Sequence, residues 1–158
     1  MNPTKEKVLV SACLIGENCR YDGKNQSVPE VLALTEFYDL IPICPEVSGG
    51  MKIPRFPSEI QGEKVINKEG KDVTDFYEAG AYWAASICQI YHIRLAILKE
   101  DSPSCGAHEI HDGSFTDKKI PGKGITARRL EKIGVKVMDE KEAKELLKTL
   151  KSGGNKPC

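Results

Sequence analysis

Most of the chemistry open to this sequence lies in its six cysteines, Cys13, Cys19, Cys44, Cys88, Cys105 and Cys158. Three of them follow short apolar runs. Cys13 ends residues 8–12 (VLVSA), Cys44 ends residues 40–43 (LIPI), and Cys105 lies in Ser102-Pro103-Ser104-Cys105-Gly106, just past residues 95–98 (LAIL). Runs this short read as strands buried on both faces of a parallel sheet. Parallel strands share one carboxyl edge, which is where open α/β sheets bind ligands. The spacing therefore predicts that three thiols, far apart in sequence, meet at one place.

Two thiol chemistries compete for such a cluster. In phosphoryl transfer, a cysteine after the first strand sits in a loop that cradles phosphate and closes on an arginine. The stretch from Val10 to Gly23 superficially resembles that arrangement in low-molecular-weight tyrosine phosphatases and arsenate reductases. Six residues separate Cys13 from Arg20 where that family has five, Tyr21 replaces its assisting hydroxyl residue, and Glu17 opposes an incoming dianion. The other chemistry is metal binding. Zinc usually takes paired C-x2-C ligands, which are absent here. Iron–sulfur clusters accept scattered cysteines that the fold gathers, and three ligands leave one iron open as a Lewis-acid site. Cys19 reads as a fourth ligand, a redox or substrate-handling thiol, or loop packing, with the last two favoured. Cys88 reads as a packing residue and Cys158 as part of a tail.

The elements that must hold these residues alternate between strand and helix. After the strand at 8–12 comes a turn over 14–23, then a helix over 28–37 with Pro29 in its first turn. The strand at 40–43 contains Pro42, which is awkward in a central position. Residues 45–63 read as a long functional loop, and residues 64–73 as a hairpin around Glu69-Gly70. A helix is expected from Thr74 to about His92, with Phe76, Gly80, Trp83, Ile87 and Ile90 as the stripe that packs on the sheet. A second hairpin follows over 108–115 around Asp112-Gly113, then a helix over 126–133 and a last strand at 135–137. Asp139 and Glu142 form the pattern of a capping box ahead of Ala143, Leu146, Leu147 and Leu150. The whole reads as one α/β domain over residues 1–151, a doubly wound, mostly parallel, Rossmann-like or flavodoxin-like three-layer sandwich, with a flexible tail over 152–158.

Lys+Arg and Asp+Glu balance at 23 each, so no global field draws in long RNA or an anionic membrane. No segment has the length of a membrane span or the form of a signal peptide. A cytoplasmic protein with reduced cysteines is the expectation, and the oligomeric state is left open.

At this point the motifs resemble a family, the thiouracil/thiouridine desulfidases, long catalogued only as a conserved domain of unknown function. The resemblance rests on Ser11-Ala12-Cys13-Leu14-Ile15-Gly16, Cys19-Arg20-Tyr21-Asp22-Gly23, Cys44-Pro45-Glu46-Val47, Pro54-Arg55, residues 70–74, Leu98-Lys99, residues 102–106 and Asp112-Gly113. Phe56 and Ser58 stand where Pro- and Ala-like residues are expected. The resemblance implies a [4Fe-4S] cluster, oxygen-labile, held by Cys13, Cys44 and Cys105. Its open iron takes the sulfur of a small thiolated pyrimidine or thionucleoside while water attacks the ring carbon, with no net redox change. Glu46 is implied as the base that activates water, with Ser102 and Ser104 orienting water or base and Lys99 as an electrostatic stabiliser. Arg20, Arg55 and Cys19 are implied at the substrate. A phosphatase-like enzyme and a non-catalytic nucleotide- or metal-binding module remain the alternatives.

Overall fold

Val8 and Val10 pack into one hydrophobic cluster and Leu9 into another, and Leu95 and Ile97 part from Ala96 and Leu98 in the same way. A strand buried alternately on both sides belongs in the middle of a three-layer sandwich. The structure, a computed structural model, describes residues 5–154, so Cys158 and the end of the expected tail lie outside the described residues. Its central sheet holds β1 (Glu6–Ser11), β2 (Tyr38–Ile43), β5 (Leu95–Ile97) and β8 (Lys136–Met138). These are parallel, in the order β2-β1-β5-β8. Pro42 is tolerated because β2 is an edge strand, where a missing donor costs no ladder bond on the open side.

Helices cover both faces. One face carries α1 (Pro29–Ala33) and α5 (Glu140–Lys151), which touch each other. The other carries α3 (Thr74–Tyr91) and α4 (Ile125–Lys132), likewise in contact. The capping box forms as expected: Asp139 accepts from the Glu142 amide, and Glu142 accepts from the Asp139 amide. Among the described residues no helix is long and apolar enough to cross a membrane.

Four expectations change. Residues 45–63 are not a continuous loop, because α2 (Pro45–Ser48) starts directly after Cys44, and β3 (Ser58–Gln61) pairs antiparallel with β4 (Lys64–Asn67). The turn at Glu69-Gly70 closes only one further bridge, between Ile66 and Asp72. The second hairpin is wider than read, with β6 (Glu109–His111) paired to β7 (Lys119–Pro121). Most consequential is α3. Its buried side is Tyr77, Gly80, Ala81, Ala84, Ala85 and Cys88, whereas Phe76, Trp83 and Ile90 are exposed. Apart from Tyr77, its inward side chains are small and let it lie close to α2 and α4, while Phe76, Trp83 and Ile90 face out.

Gly80 meets α2 rather than the sheet. A Cβ on Gly80 would stand 1.9 Å from the Pro45 carbonyl oxygen, and one on Gly49 would stand 2.0 Å from that of Phe76. The two helices therefore cross backbone against backbone, which fixes α2 against α3.

The loop carrying Cys105 is fastened from behind. Glu100 Oε1 accepts from the amides of Ala107, His108 and Glu109 at 2.8, 3.0 and 3.1 Å. The His108 ring meets Glu142, which raises its pKa above the ordinary 6.5 despite the opposing effect of burial. A raised folded value means that the stabilisation is complete below 6.5 and lost as pH rises through the folded pKa. The melting gap between the parent and His108→Gln is therefore expected to be widest in mildly acidic solution and to shrink in alkali. A gap that is the same at every pH would mean that the ring acts by packing alone.

Candidate metal and catalytic site

The carboxyl ends of β2, β1 and β5 open into a cavity of about 340 Å³. Cys13 lies in the 3₁₀ turn Ala12–Ile15 that follows β1, Cys44 joins β2 to α2, and Cys105 lies in the turn beyond β5. Because the three strands are neighbours, their ends are adjacent, and all three cysteines line the cavity. Cys19 joins them from the loop after the 3₁₀ turn. Its thiol is near enough to those of Cys13 and Cys44 for each to shift its proton affinity. Its carbonyl accepts from Cys44 Sγ at 3.6 Å. Cys88 is buried elsewhere, in the cluster beneath α3 and α4.

These surroundings favour neutral thiols. A hydrogen bond that the neutral Cys19 thiol gives to Cys13, with burial added, pushes Cys19 up to about 11 against an opposing contact from Cys44. Contact with Cys19 and burial push Cys44 up further, and burial pushes Cys105 up to about 12. A set of largely buried sulfur donors suits a soft iron–sulfur group, whose binding would displace the thiol protons.

Beside the thiols stands Glu46, in the first turn of α2. Its Oε1 accepts from Arg55 Nε and from the Tyr77 hydroxyl, each at 3.0 Å. Its Oε2 accepts from Ser104 Oγ at 3.1 Å. Side chains exposed by only 7% and 14% make Arg55–Glu46 a nearly buried ion pair. Arg55 also donates to the Cys19 carbonyl at 2.9 Å, tying the pair to the thiol loop. Burial disfavours the Arg55 charge, but Glu46 outweighs it and the pKa is raised. Ser104 Oγ lies 2.8 Å from Ser102 Oγ and 3.5 Å from Cys105 Sγ. A continuous hydrogen-bonded path thus runs from the carboxylate to a thiol.

The other expected residues are less directly engaged. Lys99 lines the cavity, but its ammonium is held by the Glu100 carbonyl at 2.8 Å and by Glu140 at 3.4 Å. Arg20 is on the wall, bound to Gln26 and to Asp22. It therefore does not close a phosphate loop over Cys13. Residues that the sequence reading did not single out also reach the cavity, chiefly Tyr77, Lys68, His111 and Phe115. Tyr77 had no local signal, since its hydroxyl meets Glu46 only through the crossing of α2 and α3. For Phe115 the positive φ of 59° marks a special backbone position, but the residue type gives no warning of it.

Comparison with known proteins agrees with this geometry. A model of the 2-thiouracil desulfurase family matches residues 8–142. The uncharacterized protein YbbK of Bacillus subtilis (strain 168) is 37% identical over 150 residues, which span 89% of this chain and 99% of that protein. Among solved structures, the [4Fe-4S]-dependent thiouracil desulfidase TudS is similar with a TM-score of 0.86 and 41% identity, covering 94% of this chain and 99% of that one.

Proposed function

This chain belongs to the 2-thiouracil desulfurase family, and we propose from that premise that it hydrolyses the carbon–sulfur bond of a small thiolated pyrimidine with Glu46 as base. The observation that carries the reading is one cavity holding both the convergent thiols and a fixed carboxylate. Cys13, Cys44 and Cys105 would hold a [4Fe-4S] cluster, and Cys19 would remain a neighbouring thiol. When bound, the cluster supplies an open iron, a Lewis acid with affinity for thiocarbonyl sulfur.

The chain's own residues do the rest. Arg55 and Tyr77 occupy Glu46 Oε1, which leaves Oε2 as the oxygen that takes a proton from water. Ser104 bridges that oxygen to Ser102 and to the thiol side of the cavity, so it can return the proton toward the departing sulfur. The reaction consumes one water and releases sulfide and the oxo base, with no electron gained or lost. Arg20, Lys99 and the opposite wall contact the remainder of the substrate. A cavity of about 340 Å³ suits a small molecule rather than a stretch of RNA. Thiols that must stay reduced fit a cytoplasmic setting.

The test is anaerobic incubation with 2-thiouracil, scored by uracil and sulfide formed against iron bound. Turnover that scales with iron loading is expected. Iron-free protein with equal activity would sink the proposal, and phosphatase activity dependent on Cys13 alone would replace it.

A further inference from the structure

The helix α3 presents to solvent an apolar seam that none of the described residues covers. Phe76, Trp83 and Ile90 are 39%, 53% and 69% exposed, and they are spaced seven residues apart. Ala79 and Ser86 fall between them, completing the alternating three- and four-residue spacing of a helix–helix seam. Small residues at those two positions let a second helix come close. At the amino end of the seam the Phe76 ring lies over Gly50, just past the end of α2. With 18 residues α3 runs about 27 Å, long enough for a substantial contact. A contiguous exposed patch of aromatic and large aliphatic side chains marks an interaction surface.

We propose that this seam is the interface of a symmetric homodimer in which two copies of α3 pack antiparallel about a two-fold axis at Trp83. Counting outward from Trp83 sets Phe76 of one copy opposite Ile90 of the other, so each large side chain meets an apolar partner. The charges also match. Asp75 and Glu78 are exposed near the amino end of α3, and Arg94 is exposed beyond its carboxyl end. Antiparallel packing brings the acidic end of each copy to the basic end of the other, whereas parallel packing would set like beside like. A second copy is therefore the occupant that satisfies both the apolar register and the charge pattern. An isologous contact of this kind is the commonest form of oligomer. The cavity opens at the carboxyl ends of the sheet strands, and Phe76, Trp83 and Ile90 are not among the residues that line it.

The experiment is sedimentation velocity on the full chain over a wide concentration range, with desulfidation measured separately. The parent is expected to show a concentration-dependent dimer. Trp83→Glu, at an exposed position the fold does not need, is expected to weaken it on the order of 30-fold or more, as loss of a central hot spot does. Glu78→Lys is expected to weaken association, and adding Arg94→Glu in the same chain to restore it. A parent that is monomeric at every concentration would overturn the proposal, as would a dimer indifferent to Trp83→Glu. Dissociation by Trp83→Glu without rescue by the charge exchange would overturn the antiparallel arrangement. None of these outcomes depends on whether the desulfidase assignment holds.

Discussion

Serine in place of Cys13, Cys44 or Cys105, one at a time, is expected to strip the chain of iron and abolish turnover. A hydroxyl has nearly the size of a thiol but is a hard, reluctantly ionised donor, and it loses the affinity for iron that sulfur has. Each of the three sites ends a different strand, so none of the three can take over the position of another without moving the sheet. Cys88→Ala should keep its iron, since Cys88 is buried away from the cavity. Cys19→Ser is the informative comparison, because its thiol lies near both Cys13 and Cys44. Iron retained there with altered turnover would give Cys19 a role toward substrate, and iron lost would make it a ligand. Iron and acid-labile sulfide per chain, with a visible spectrum, decide the matter when every variant is reconstituted without air. Circular dichroism must show each variant folded. A serine variant at any of the three strand ends that held full iron would remove that residue from the ligand set.

The second large effect is expected at Glu46. Glu46→Gln keeps the shape but cannot take a proton, and loss of a general base lowers kcat by about 10²–10⁴-fold. KM should move little if binding and chemistry are separable here. The change also leaves Arg55 without its carboxylate, and breaking a buried pair costs about 3–5 kcal/mol, so the melting temperature should fall as well. Activity must therefore be compared well below the variant's own melting point and at equal iron content. Tyr77→Phe separates position from charge. It removes one of the three donors to Glu46 and preserves the ring that fills the core. Hydrogen bonds to charged groups are worth about 1.5–3 kcal/mol, so the loss in kcat should be smaller than for Glu46→Gln. A Glu46→Gln enzyme within a few-fold of the parent would show that the carboxylate only builds the site.

The strands and the convergence of the thiols were legible because they depend on local pattern and on one topological rule. Residues 95–98 are apolar without alternation, and this reflects a strand that packs on both faces. Once the strands are parallel, their ends share an edge, so Cys13, Cys44 and Cys105 follow. The partners of Glu46 were legible only in part. Arg55 and Ser104 stood in recognisable motifs, but Tyr77 reaches the carboxylate through a helix crossing that no local spacing encodes. The reading of α3 failed for a different reason. Its helix has two apolar sides, one of small residues and one of large, and periodicity weighs hydrophobicity without weighing size. Residues 45–63 hid α2 and β3 because both are only four residues long, too short to establish a period.

The meeting of Gly80 with the Pro45 carbonyl bears on how this protein can be stabilised by design. Glycine inside a helix costs about 1 kcal/mol relative to alanine, so Gly80→Ala is the change a routine stabilisation campaign would make first. Here a methyl group would need α2 to slide by more than about 1 Å, since the 1.9 Å gap cannot hold a Cβ. That slide would carry Cys44 and Glu46 with it, because both are attached to α2. A displacement of about 1 Å at reacting groups can cost on the order of 10²-fold in rate. Gly80→Ala is therefore expected to lower stability and turnover together, and the helix keeps its weakest residue where the site needs its closest contact.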